Sequence, residues 1–157
     1  RYDNRNIFIM LSAPLVIVGY IMFLATTNPQ VRYAATFLIA SGAFANGALC
    51  NAQVSANLVS DTARSSAIGV NVMMGNIGGL IATWSFLPFD APNYPIGNGL
   101  NLATSTTILI TALVLMIWMR LDNKQREKVD AEAVLHGLSQ KDVQDLDWRH
   151  PEFKWKP

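Results

Sequence analysis

Polar and apolar positions along this chain do not alternate; they separate into blocks. Four stretches, Asn6–Val31, Tyr33–Ser60, Ser65–Phe89 and Ala91–Met119, contain no Lys, Arg, Asp or Glu. Each runs for at least 25 residues, more than the roughly 20 that a helix needs to cross about 30 Å of hydrocarbon. A helix in water would carry charge along its outer face, and none is present here. The pattern predicts an all-α, polytopic membrane protein with four transmembrane helices, at about 7–26, 33–54, 67–87 and 100–119.

The breaks between blocks read as turns. Thr27-Asn28-Pro29-Gln30 disfavours continued helix before the proline. Ser55–Ser66 is a polar connection holding Asp61 and Arg64, and Pro88–Pro95 has three prolines in eight residues, which predicts a loop. After Arg120 the composition changes. The segment to Pro157 carries eight basic and eight acidic residues, so residues 122–157 read as a polar tail beyond a transmembrane region at 1–121. Asn123–Leu135 reads as a surface helix with Val129 and Ala133 on one side. The aromatic and charged end, Asp147–Trp155, suits either docking on the bundle or disorder.

Basic residues set the expected orientation. Arg1, Arg5, Arg64, Arg120, Lys124, Arg126 and Lys128 all fall on one side, seven in number, against Arg32 alone on the other. Both ends of the chain and the Asp61–Arg64 connection are therefore expected in the cytosol. The net charge of +1 gives no basis for a nucleic-acid partner. The first residue is Arg1 rather than Met, which predicts a fragment or a processed chain, and no cleavable signal peptide is visible. The single cysteine, Cys50, excludes an intrachain disulfide. His136 and His150 both lie in the tail without partners at metal-ligand spacing, and no HExxH or nucleophile elbow occurs. No enzyme, metal or cofactor is expected.

Lipid offers no partners to amides, so those inside spans must find their own. Asn46, Asn51 and Gln53 lie in the second span, Asn71 and Asn76 in the third. They either bond between helices to hold the bundle or line a water-filled path, and their concentration in two adjacent spans favours a polar cavity on one side. Asn46, Asn51, Asn71 and Asn76 are the candidate substrate-binding residues. Gly75 and Gly79 have the GxxxG spacing of close helix contacts; a glycine-lined surface facing substrate is the alternative. No ionisable residue lies inside a span. A proton-coupling group would sit at a helix end, where Asp61, Arg64, Asp90 and Arg32 are also interfacial anchors, or elsewhere in the protein.

Specific residues from Asn57 onward resemble the major facilitator superfamily (MFS), and within it the fungal anion:cation symporters of the allantoate permease type. Asn57, Thr62 and Arg64 match the connection before the eleventh helix of that family. Gly75, Asn76, Gly78 and Gly79 match its Gly-Asn-x-Gly-Gly segment. Asp90, Ala91, Pro92, Tyr94 and Gly97 match an outside loop, and Asp147, Arg149, His150, Pro151, Phe153 and Trp155 match a terminal pattern of some members. Ala63 stands where a second basic residue is common. The resemblance implies helices nine to twelve of a twelve-helix carrier in the plasma membrane, with the tenth and eleventh beside the central cavity and the ninth and twelfth outside. It further implies symport of a small organic anion, such as a carboxylate vitamin or ureide, with protons, by alternating access around a midplane site. The missing N-terminal helices would supply the opposite wall and the cation that pairs with the anion. A four-span adaptor, or a transporter-like nutrient sensor, is the competing expectation.

Overall fold

The computed structural model describes residues 5–137, 143 and 146–157, apart from the side chains of 132 and 133. The described residues form α1 (Arg5–Ala25), α2 (Pro29–Ala56), α3 (Asp61–Trp84), α4 (Pro95–Arg126) and a short α5 (Ala131–Leu135). Single 3-10 turns follow at Pro88–Asp90 and Asp147–Arg149, and no strand occurs among the described residues. The four long helices are each long and apolar enough to cross a membrane. Large apolar side chains stay uncovered along them: Leu11 is 64% exposed, Trp84 76% and Phe44 82%. That much bare apolar surface is stable only against lipid. The chain is an all-α integral membrane protein.

Local chemistry fixes where each helix starts. Asn28 caps α2, its side chain accepting from the Gln30 N–H at 3.0 Å, and Pro29 takes the first helical position. Ser60 caps α3 by accepting from the Ala63 N–H. This cap starts α3 at Asp61, six residues ahead of the apolar stretch, and the connection from α2 shrinks to residues 57–60. At the other end α4 continues past Met119 as a polar helix, with the Asp122–Arg126 pair at 2.6 Å bracing its last turn. The surface helix expected over Asn123–Leu135 is thus two pieces. Its first four residues finish α4, and α5 begins only at Ala131. Arg1 and the side chain of Ala133 lie outside the described residues.

Two arginines close helix ends from the start of the next helix. Arg32 in α2 donates to the Thr26 and Phe23 carbonyls at 2.8 and 3.2 Å, covering the end of α1. Arg64 in α3 donates to the Ser55 and Leu58 carbonyls at 3.2 and 3.1 Å, covering the end of α2, while holding Asp61 at 3.1 Å. The last carbonyls of a helix lack intrahelical donors, and a guanidinium reaching back supplies them. Arg32, the lone cation on its side of the bundle, has this structural task.

The bundle is organised around α1, which packs most extensively on α2 and next on α4. Its buried face is Asn6, Ile9, Ser12, Ala13, Val16 and Gly19. The facing helices bury residues seven apart: Ala35 and Gly42 in α2, then Asn98, Ser105, Ala112 and Met119 in α4. A seven-residue repeat keeps one seam against a neighbour, and small residues bring the backbones close, which is what holds helices together in lipid. A Cβ on Gly42 would come 2.7 Å from the Ser12 carbonyl oxygen, and one on Gly19 would come 3.1 Å from that of Ala35. By contrast α3 has no buried residue, and nothing lies within 4 Å of where a Cβ would sit on Gly75, Gly78 or Gly79. The close contacts expected at the Gly75/Gly79 pair therefore occur at Gly19 and Gly42 instead.

The end of the chain docks. Two asparagines each grip one residue of the extended terminus on both its main-chain groups. Asn123 accepts from the Trp155 N–H at 2.8 Å and donates to its carbonyl at 2.9 Å. Asn57 does the same to Lys156, at 2.8 and 3.0 Å. Consecutive residues of an extended chain point their main-chain groups to opposite sides, so Trp155 and Lys156 bridge α4 to the end of α2. The Trp155 indole donates to Asp122 at 2.7 Å, its ring meets Trp118 and Phe153, and Arg126 lies over both Phe153 and Trp155.

Gly42→Leu should cost about 1–3 kcal/mol by overpacking the α1–α2 seam, whereas Gly75→Leu should stay within about 0.5 kcal/mol as a surface change; thermal unfolding of the detergent-solubilised protein compares them. Lys156→Pro removes the N–H that Asn57 receives and alters no helix, so trypsin should cut the terminus faster while unfolding of the bundle is unchanged.

Candidate functional site

Because α3 stands off the other helices, a cleft opens between it and the α1–α2–α4 core. It encloses about 600 Å³. Three of the four candidate asparagines line it: Asn46 and Asn51 from α2 and Asn71 from α3. Asn76 does not. It sits on the exposed part of α3, one position beyond Gly75, the member of the glycine segment that borders the cleft. Gly78 lines a smaller groove against Leu100, Asn101 and Thr104. Among the described residues Gly75 thus borders open space, with no helix packed on it.

Hydrogen bonds set the amides in place. Asn71 donates to the Asn51 side-chain oxygen at 2.8 Å, which is the polar tie across the α2–α3 gap. Asn51 in turn donates to the Gly47 carbonyl at 3.3 Å. Ser12 of α1 donates to the Asn46 oxygen at 2.5 Å. Asn46, Asn51 and Asn71 thus bond between or along helices while also bordering open space. Every lining residue is neutral, so the wall offers amide and hydroxyl groups without a charge.

Two features differ from the sequence expectation. Helix α4 was placed outside the cavity, yet it supplies Asn101, Thr104 and Ser105, and α1 adds Val16 and Tyr20. Asn101 was present in the fourth span but was outweighed by that span's apolar remainder. Its signal was the spacing of Asn98 and Asn101 with Ser105, which puts polar groups on one face of the helix. The reason α4 reaches the cleft is packing: α1, not α2, is the central helix, so α4 swings around to form the third wall.

The remaining motif residues are mainly structural. Asp90 accepts from the Ile96 N–H at 2.8 Å and so closes the start of α4 with a negative charge where the helix dipole favours one. Tyr94 takes a left-handed conformation (φ 48°) at the cap and its ring meets Phe86 edge-on. Gly97 must be glycine: a Cβ there would press to 2.8–3.0 Å on the Phe86 ring. Pro92 is exposed in the loop, and Thr62 is exposed in the first turn of α3. Asn57 ends α2 and holds the terminus as described, and Gln53 donates to the same Lys156 carbonyl at 2.8 Å.

The sequence itself has known relatives. Over 98% of its length the chain is 28% identical to an MFS-type transporter of Penicillium expansum, covering 31% of that protein. Over 87% it is 27% identical to a major facilitator-type transporter of Emericella nidulans, covering 28%. Over 99% it is 26% identical to the high-affinity nicotinic acid transporter of Saccharomyces cerevisiae, covering 29%. The chain spans between 26% and 31% of the length of the curated relatives it matches. No family model and no solved structure matches it. All three of these relatives are named as transporters, two of them as major facilitator-type.

Asn71→Leu should loosen α3 by removing its bond to Asn51, a change of about 0.6 kcal/mol. The Asn51→Leu, Asn71→Leu double variant should lose less than the sum of the two single ones, and a double-mutant cycle on thermal unfolding reads that coupling.

Proposed function

We propose that the chain is the C-terminal part, helices nine to twelve, of an allantoate-permease-type carrier that moves a small organic anion with protons by alternating access. The observation that carries this is the neutral, amide-lined cleft at mid-helix, walled on three sides by α1, α2 and α4 and flanked by the loosely held α3. Discontinuous packing of one helix beside a polar midplane site suits a wall that moves relative to its neighbours. In this reading the bare faces of α3 meet the helices that precede this chain in the whole carrier, which explains why α3 buries nothing here.

The substrate class follows from chemistry and from one relative's name. The asparagine amides of the cleft can donate to a carboxylate, and a transporter of nicotinic acid, an aromatic carboxylate, is among the relatives. An ion in a low-dielectric site needs a partner charge. None of the cleft residues carries one, so the cation belongs to the opposite half. Proton coupling likewise belongs to a group outside these four spans. Asp61 and Asp90 are already committed to Arg64 and to the start of α4. The excess of basic residues beside the chain ends supports a cytosolic tail in this reading, and the family resemblance supports a carrier of the plasma membrane.

The test is uptake by the full-length protein over a panel of radiolabelled carboxylates and ureides, with and without a protonophore. A carboxylate should accumulate, and the protonophore should abolish accumulation. Asn71→Leu and Asn101→Leu should each raise KM about fivefold to tenfold, as expected for one hydrogen bond lost, while Asn76→Leu should leave it within twofold of wild type (about 0.4 kcal/mol). Absence of uptake for every probe by correctly inserted protein returns the chain to the adaptor or sensor reading.

A further inference from the structure

The cleft and a smaller cavity of about 310 Å³ that adjoins it, sharing Cys50, Asn71 and Ile108, both open on the side of α4 that faces α1 and α3. The opposite side of α4 is bare. Ile110, Val114, Ile117 and Leu121 recur there at helical spacing, and each is more than half exposed. Ile110 and Ile117 stand two positions before Ala112 and Met119 of the buried edge, a turn of about 200°. The stripe therefore faces away from α1.

Toward the tail this stripe runs into two cations. Ile117 and Leu121, together with Arg120 and Lys124 one turn apart, border a groove of about 370 Å³. Among the described residues neither cation has an ion pair or a side-chain hydrogen bond. The adjacent acids are engaged elsewhere: Asp122 by Arg126 and the Trp155 indole, Glu127 by Lys154 at 3.0 Å. Trp118 marks the depth, since indoles favour the headgroup level of a bilayer. Arg120 and Lys124 lie two and six residues further on, about 3 and 9 Å along the helix. That is the layer in which lipid phosphates lie.

We propose that this face of α4 holds a phospholipid of net negative headgroup charge. Its phosphate sits between Arg120 and Lys124, and an acyl chain follows the stripe from Leu121 to Ile110. A guanidinium takes phosphate oxygens in pairs, and the ammonium adds a point charge. A zwitterionic lipid binds more weakly, because its own cation offsets the phosphate beside two more positive charges. The site rests on the proposed place of α4 at the rim of the carrier, where this face meets lipid, and not on what is carried.

Purified, delipidated full-length protein in detergent is titrated with phosphatidylserine or phosphatidylcholine, and bound lipid is counted by native mass spectrometry. Phosphatidylserine should bind at least about tenfold more tightly. Arg120→Gln and Lys124→Gln should each weaken it roughly fivefold, the effect of one basic residue near an anionic headgroup, and together they should bring it to the level of phosphatidylcholine. Arg149→Gln, a cation at the same end of the molecule, should leave it unchanged. Both substituted side chains are exposed, so thermal unfolding without lipid should match wild type. Equal binding of the two lipids, or undiminished phosphatidylserine binding in the double variant, overturns the site. Displacement of the lipid by inorganic phosphate at about hundredfold excess assigns the pair to a soluble anion and overturns it as well. An absence of uptake with the lipid preference intact counts against the carrier reading alone.

Discussion

Close approach of α1 to α2 is the contact on which the rest of the structure depends. In lipid there is no hydrophobic gain from pressing two apolar helices together, because lipid tails are as apolar as the side chains they replace. What remains is dispersion between well-fitted surfaces, and that requires the backbones to come near each other. Gly19, Gly42, Ala13 and Ala35 permit it. With α1 and α2 fixed, the next face of α1 receives the Ser105, Ala112 and Met119 edge of α4. Three helices then form a core, and the fourth, α3, buries no residue against them. The cleft is the geometric remainder of that arrangement.

A second constraint acts at the helix ends. Main-chain carbonyls and N–H groups there must be satisfied near a medium that supplies few partners. The chain solves this with side chains from the adjoining segment: Arg32 for α1, Arg64 for α2 and Asp90 for the start of α4. Charges that look like coupling candidates in sequence are thereby tied to backbone. The same bonds shorten the connections, which keeps the polar ends of neighbouring helices level.

The spans were legible because lipid imposes a simple rule on composition: charge is excluded over a fixed length. Their limits were less so. Ser60 starts α3 within a segment whose hydropathy is unremarkable, and the Asp122–Arg126 brace extends α4 through residues that read as tail. Three of the candidate asparagines do meet in one cleft, since amides in lipid must turn inward. Asn76 does not join them in this cleft, because its neighbour Gly75 borders it and a step of one residue turns a helix by about 100°. GxxxG spacing shows only that close contact is sterically permitted, and Gly42 shows that a single glycine opposite Val16 suffices. The grip of Asn57 and Asn123 on the terminus had no pattern to betray it, as it joins residues 99 and 32 positions apart.

The electrostatics of the two cavities follow from these placements. Charges are gathered at the ends of helices, where carbonyls or opposite charges hold them, and amides are left between. A wall of amides is a weak but adaptable host: each group offers both a donor and an acceptor, so it discriminates by shape and hydrogen-bond direction more than by charge. In the larger cleft, internal bonds such as Asn51 to Asn71 already use part of that capacity. Beside the smaller cavity, the Gln53 amide nitrogen is already committed to a carbonyl of the chain's own terminus.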